Sequence, residues 1–350
     1  MHNRSFDIVG GGRKSHKIFD DIISVENLLS AWSEFKRGKM NKSDVCDFSF
    51  CLENNLFDLH QRLAEKTYLP NKYEFFYVKD PKLRPIHKAS VKDRVVFQAV
   101  FRVLYHVFDK KFIFDSYSCR FNKGTHIGVK RLAKFTRSAS KNNHQTIYAL
   151  KCDIKKFFYN IDHDILLNLI KKEIKDKDTL DLVSKIINSF HTATNKGLPL
   201  GNVTSQLFAN IYLNELDQFV KHVLKEKYYI RYCDDFIVLH KDKRHLQNIV
   251  IRLNNFLQTK LSLALHPNKI SVRKTNQGID FLGYVILPHH IVLRTKTKQR
   301  MIRKLRQKQS LLRVGVITRE SFDQTLQSYL GLFKHCKNEW MKEWVWSLFG

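Results

Sequence analysis

The sequence predicts an α+β protein in which antiparallel strands are backed by helices, and three patterns predict it. Two strand-like runs rich in aromatic and β-branched residues, 228–232 and 236–240, flank Tyr232-Cys233-Asp234-Asp235 and read as a hairpin bent at two aspartates. A second strand, 147–154, carries a third aspartate, Asp153, near its end. Broadly apolar or amphipathic helices over 91–112, 203–224 and 244–261 alternate with these strands.

In chain order, residues 1–24 read as a flexible leader into a helix at 25–35, followed by a helical pattern over 48–64 and a strand at 73–78. Lys79-Asp80-Pro81-Lys82-Leu83-Arg84-Pro85 reads as a basic turn whose prolines stop helix and strand alike. Over 91–112, apolar residues fall at 96, 100, 103 and 107 and again at 97, 101, 104 and 108, a stripe wide enough for a well-buried helix. The strand at 147–154 runs into Phe157-Phe158 and a helix near 164–174. Gly197-Leu198-Pro199-Leu200-Gly201-Asn202 is a loop, and the helix at 203–224 places apolar residues at 207, 211, 216, 220 and 223. After the hairpin come the helix at 244–261 and strands near 269–272 and 279–286. Between Arg294 and Lys308 there are eight basic residues and no acid, with Met301, Leu305 and Leu312 on one face, so 294–350 reads as a separate basic helical subdomain.

The charge narrows the partner. Against 33 acidic residues stand 61 lysines and arginines, a net charge of +28 over 350 residues, which favours a polyanion. An apolar run of the roughly 18 residues that a membrane helix needs is missing, and the first residues lack an apolar signal core. Nucleic acid is therefore preferred over a membrane. The six cysteines include no C-x-x-C pair, which fits reduced thiols in a cytoplasmic protein better than a zinc site.

Asp234 and Asp235 at one bend repel each other unless a cation lies between them. Two Mg²⁺ ions held about 3.5–4 Å apart by aspartates, as in phosphoryl transfer, are the natural occupants. A solvated acidic turn is the plainer alternative, since aspartate is an ordinary turn residue. Asp153, at the end of another strand, can converge on the same face and favours the cation.

Six segments in register then resemble the ordered motifs of reverse transcriptases over roughly residues 70–335. Lys82-Leu83-Arg84-Pro85-Ile86 with Lys92-Asp93-Arg94-Val95-Val96 resembles the fingers motif, and Phe121-Asn122-Lys123-Gly124-Thr125-His126 the block after it. Asp153-Ile154-Lys155-Lys156-Phe157-Phe158 resembles motif A, Tyr232-Cys233-Asp234-Asp235 the Y-x-D-D box, and Phe281-Leu282-Gly283-Tyr284 the primer-grip hairpin. Gln327-Ser328-Tyr329-Leu330-Gly331 resembles a thumb segment. The resemblance implies a right-hand polymerase with N-terminal helices and fingers at 25–146, a palm at 147–293 and a small helical thumb at 294–350.

It also implies roles. Asp153, Asp234 and Asp235 would hold two Mg²⁺ ions, with Mn²⁺ as a substitute, and Ile154 would add its main-chain carbonyl. Arg84 would clamp the dNTP triphosphate, with Lys79 or Lys82 assisting. Phe158 stands where the family keeps a steric gate against the 2′-hydroxyl, although core packing would equally use a phenylalanine there. Lys269, in His266-Pro267-Asn268-Lys269, could protonate the leaving pyrophosphate. Template RNA and the RNA/cDNA duplex are the implied macromolecular ligands.

The loop points to a branch. Many reverse transcriptases read L-P-Q-G-x-x-x-S-P where this chain has Leu198-Pro199-Leu200-Gly201-Asn202-Val203-Thr204-Ser205-Gln206. Leu200 before Gly201, and Gln206 in place of proline, resemble the enzymes of diversity-generating retroelements, which copy a template-repeat RNA with errors at adenines. Leucine at 200 can make no hydrogen bond, and each one lost is worth about 0.5–1.5 kcal/mol of discrimination. A small basic, barrel-shaped accessory protein is the partner this branch implies. The short stretch after the thumb leads one to expect no RNase H, HNH or long maturase domain, and the retron N-A-x-x-H and V-T-G signatures are not seen.

Overall fold

A computed structural model describes residues 17–80, 83–337 and 339–349. They form two compact units. One holds the described residues up to Lys111 together with Phe158–Tyr212, and the other holds Phe112–Phe157 with the described residues from Leu213 onward.

The chain enters through α1 (Ile18–Ile23), inside the expected leader. This short helix forms because Phe19, Ile22 and Ile23 all find cover. The rest of the expected leader, residues 1–16, lies outside the described residues. Ser24 caps α2 (Val25–Phe35) by accepting the Asn27 amide. The single helix expected over 48–64 is two, α3 (Ser43–Phe50) and α4 (Leu52–Ala64). Cys51 leaves the helical region at φ −112° and ψ 39°, and the Asn55 side chain donates to the freed Phe48 carbonyl. β1 (Glu74–Val78) pairs antiparallel with β2 (Arg84–Lys88), so the expected basic turn is partly strand. Pro85 is tolerated opposite Tyr77 because neither strand of a two-stranded sheet has a second partner to supply. α5 (Val91–Phe108) is buried along most of its length, as its apolar stripe predicts, and tightens into a 3₁₀ turn before 112.

The second unit begins with α6 (Thr125–Ala139), which the sequence reading missed. Four cations at 130, 131, 134 and 137 mask its buried face of Val129, Leu132 and Phe135. β3 (Tyr148–Asp153) follows; the chain then returns to the first unit for most of α7 (Phe157–Asn160), for α8 (His163–Glu173) and the unanticipated α9 (Lys177–Asn188), and for α10 (Val203–Gln218) up to Tyr212. The end of α10 and the π turn that continues it through Val223 belong to the second unit. The hairpin is β4 (Tyr228–Tyr232) and β5 (Asp235–His240), followed by α11 (Lys243–Leu261) and β6 (Ser271–Lys274). A small sheet of β7 (Ile279–Phe281), β8 (Tyr284–Ile286) and β9 (Ile291–Leu293) leads into α12 (Thr295–Arg313), α13 (Arg319–Phe333) and α14 (Glu339–Phe349).

The main sheet has the order β4-β5-β3-β6, every pair antiparallel, which makes the class α+β. One core joins Ile230, Ile237 and Leu239 of this sheet, Phe281 and Ile286 of the small sheet, and Met301, Leu305, Phe322 and Val345 of the last helices. The helices of 294–350, read from sequence as a subdomain of their own, thus share the core of the second unit. No helix among the described residues is long and apolar enough to cross a membrane.

Inside this unit lies a fully buried ion pair. Arg231 on β4 meets Asp217 on α10 through Nε at 2.7 Å and Nη2 at 2.6 Å, both side chains without solvent exposure. The Tyr229 hydroxyl donates to the same carboxylate at 2.7 Å. A charge left alone at such a site costs about 3–5 kcal/mol. Arg231→Met should therefore lower unfolding stability by about that amount, and adding Asp217→Leu should restore much of it. Denaturant titration of both variants checks this; equal stability of the single variant and the wild type would contradict it.

Candidate active site

The register of the sheet decides where the acids go. Asp153, the last residue of β3, lies directly opposite Asp235, the first of β5. Facing residues in an antiparallel ladder hold their Cβ atoms about 4.5–5.5 Å apart, so the two carboxylates are neighbours. Asp234 occupies the two-residue turn between Tyr232 and Asp235. Its partner in that turn, Cys233, sits at φ 55°, a left-handed conformation that costs roughly 1–2 kcal/mol for a residue with a side chain. The strained turn is fastened on both sides. Arg231 Nη1 donates to the Cys233 carbonyl at 3.1 Å, and the Ile154 amide donates to the Asp234 carbonyl at 3.2 Å. Cys152 and Cys233 are thiols rather than thiolates: burial, reinforced by the neighbouring aspartates, pushes Cys152 up to about 12 and Cys233 well above its usual range.

Two lysines meet the acids. Lys269, in a 3₁₀ turn after α11, donates to both oxygens of Asp153 at 2.7 and 2.8 Å. Lys151, two residues before Asp153 and so on the same face of β3, lies 3.3 Å from Asp235 Oδ2 and donates to the Asp280 carbonyl at 2.7 Å. Burial, with the charge of Asp153 added, raises Asp234; burial also lifts Asp235 to about 6 despite Lys151.

Among the described residues no three His, Cys, Asp or Glu side chains stand together as a ready-made metal cluster. Asp153 gives both oxygens to Lys269 and Asp235 gives one to Lys151. The donor set nevertheless suits a hard divalent cation. Asp235 Oδ1 is buried with no hydrogen-bond partner, a lone pair that a cation would satisfy. The Ile154 carbonyl takes no part in the bonds that bridge 153–155 to 264–266, which run from Lys155 to Ala264 and from His266 to Asp153.

The first unit holds Arg84, Phe158 and the predicted residues of the loop from Leu200 to Gln206. Arg84 is exposed at the start of β2, and Lys82 lies outside the described residues. Half-buried Phe158 accepts the Leu198 amide at 2.7 Å through its carbonyl, which ties the candidate gate to the loop carrying Leu200. Gly201 takes φ 108°, closed to most side chains, and a Cβ there would reach Ile86 of β2 at 3.7 Å. Gln206 is half-buried in the first turns of α10.

The predicted primer grip divides in two. Phe281 and Tyr284 are core residues, while Leu282 and Gly283, at φ 53° and 88°, form a type I′ turn between them. Sequence reasoning missed Lys151, Arg231 and Asp217. The period-two spacing of Lys151 from Asp153 could have flagged the first, whereas no local signal pairs Asp217 with Arg231.

Residues 78–286 match the family described as "Reverse transcriptase (RNA-dependent DNA polymerase)". Among curated proteins the chain is 26% identical to the group II intron-encoded protein LtrA of Lactococcus lactis subsp. cremoris, across 75% of this chain and 54% of that protein. It is 23% identical to protein YkfC of Escherichia coli, across 64% and 66%, and 23% identical to the putative COX1/OXI3 intron 2 protein of Saccharomyces cerevisiae, across 63% and 32%. The chain thus spans between 32% and 66% of the length of these relatives. Among solved structures, apo telomerase from Candida tropicalis, truncated from its C-terminal domain, superposes with a TM-score of 0.48 at 15% identity, over 67% of this chain and 58% of that one.

Removing Lys269 strips a positive charge from Asp153. Lys269→Met should bind Mn²⁺ several-fold more tightly than wild type in the absence of nucleic acid, as read by loss of the free-ion EPR signal. Unchanged or weaker binding would show that Lys269 does not compete for the carboxylate.

Proposed function

The chain belongs to the reverse transcriptase (RNA-dependent DNA polymerase) family, and we propose that it copies RNA into DNA, in the error-prone manner of diversity-generating retroelements. The observation that carries the reading is the convergence of Asp153, Asp234 and Asp235 on one end of the sheet. Mg²⁺, or Mn²⁺ in its place, would supply the Lewis acidity that readies a primer 3′-hydroxyl and neutralises a triphosphate. Asp153, Asp234, Asp235 and the Ile154 carbonyl would hold it.

The chain's own residues do the rest. Exposed Arg84 offers a planar fork of donors suited to phosphate oxygens, and Lys82 lies two residues from it in sequence. Phe158 supplies a flat ring where a 2′-hydroxyl would otherwise fit. Lys269, which donates to Asp153, would serve as the general acid for departing pyrophosphate. The Leu282–Gly283 turn supports the primer end, with Phe281 and Tyr284 anchoring it from the core. The RNA template and the RNA/cDNA duplex, for which the +28 charge is suited, would be the ligands of fingers within 25–146, a palm within 147–293 and a basic thumb within 294–350.

Leu200 and Gln206 support the diversity-generating branch, and with it a template-repeat RNA and a small basic barrel-shaped accessory protein. A second reading, a polymerase serving group II intron mobility, is favoured by the intron-encoded relatives. The two share chemistry and differ in fidelity.

Asp234→Asn should abolish primer extension on an RNA template, a loss of at least a thousandfold, while leaving RNA binding intact in a filter assay. Undiminished synthesis would remove the aspartates from the chemistry. Leu200→Gln should lower misincorporation opposite template adenines several-fold in sequenced cDNA; an unchanged error spectrum would remove Leu200 from base selection.

A further inference from the structure

A groove of about 740 Å³ runs along α6 in the second unit, and none of the candidate active-site residues lines it. Lys130, Lys134 and Arg137 form one wall, Lys334 and Lys337 after α13 contribute the other, and no carboxylate lines it. The spacing of 130, 134 and 137 puts the three cations on one helical face over about 10 Å. No acidic side chain among the described residues lies within ion-pair distance of Lys130, Lys134, Arg137 or Lys334. That is unusual for cations gathered around one cavity, because their mutual repulsion then goes unrelieved.

Leu287, Pro288 and Ile291, from the connection between β8 and β9 and its end, give the groove apolar surface. His335 adds a ring face and is itself stacked on His126 at 3.7 Å. Burial first, with neighbouring charges such as Lys130 added, holds both imidazoles below their ordinary range. The groove also reaches the end of the sheet away from the acids. Asn142 lines it, and the adjacent Asn143 donates to the Pro288 carbonyl. Both precede Tyr148, the end of β3 opposite Asp153, and the six residues of that strand span about 17–20 Å.

We propose that this groove is a second RNA-binding site, one that holds a single strand by its phosphates along α6 while bases rest on the apolar and imidazole surfaces. Cations without acidic partners suit phosphates, and stackable rings among them suit bases better than an acidic polypeptide. The site goes beyond the polymerase reading, since no aspartate takes part in it. It gives the chain a hold on RNA that persists whether or not a primer end occupies the active site.

The test uses the full chain and a labelled single-stranded RNA without primer. The triple variant Lys130→Glu, Lys134→Glu and Arg137→Glu should bind at least tenfold more weakly. Its log–log salt dependence should be shallower by about 2, the share of three phosphate contacts to a single strand. Unchanged affinity and slope, with an unchanged circular dichroism spectrum, would overturn the proposal. Lysine acetylation of the wild type, read by mass spectrometry, covers the case of a misfolded variant. RNA should protect Lys130, Lys134 and Lys334. Protection confined to the lysines of α12, or protection of the groove by polyglutamate and not by RNA, would overturn it. Because binding alone is read, failure of the polymerase reading would show separately, as a wild type that binds RNA and extends no primer.

Discussion

A guanidinium and a carboxylate without access to water set the geometry of the aspartate turn. Arg231 has three duties at once: two of its nitrogens hold Asp217, the third holds the Cys233 carbonyl, and its main chain pairs with Asp115 and Tyr117. Desolvating such a pair costs several kcal/mol per ion, and only complete hydrogen bonding offsets it. Completeness is what the site supplies, including the Tyr229 hydroxyl on Asp217 and Arg131 on the Asp115 carboxylate. A turn that must keep Cys233 in a left-handed conformation needs this rigidity, since a looser mount would relax the strain and swing the acids apart.

The acids in turn are joined to the rest of the second unit through lysine. Lys151 links the Asp235 carboxylate to the Asp280 carbonyl on β7. The Asp280 side chain pairs with Arg294 at 2.9 Å, at the cap of α12, and the Arg294 amide and Thr297 hydroxyl both donate to Gly283 in the I′ turn. A continuous set of polar contacts thus runs from the acids through the hairpin to the basic helix. A change in charge at the carboxylates is felt by Lys151 and Lys269 first, which is where competition with a divalent cation would be settled.

Much of this was legible in the sequence because it is local. The Y-C-D-D hairpin, the strand ending at Asp153 and the stripe of α5 follow from residue periodicity, and they appear within a few residues of expectation. Misreadings arose where long-range contacts override local pattern. α6 hides its apolar face among four cations, and Pro85 enters a strand because its sheet has no further partner to bond. The break at Cys51 depends on a side-chain bond from Asn55. In the site, the three aspartates were visible, while the pairing of Asp217 with Arg231 and the embrace of Asp153 by Lys269 join residues 14 and 116 positions apart. The burial of Phe281 and Tyr284 likewise depends on helices that follow them in the chain.

The most direct measurement is primer extension by the wild-type chain on an RNA template with dNTPs and Mg²⁺, followed by sequencing of the cDNA. The expected result is template-dependent product whose errors concentrate opposite adenines. Faithful cDNA would contradict the diversity-generating assignment, and no incorporation on RNA, even with the accessory protein supplied, would contradict the polymerase itself.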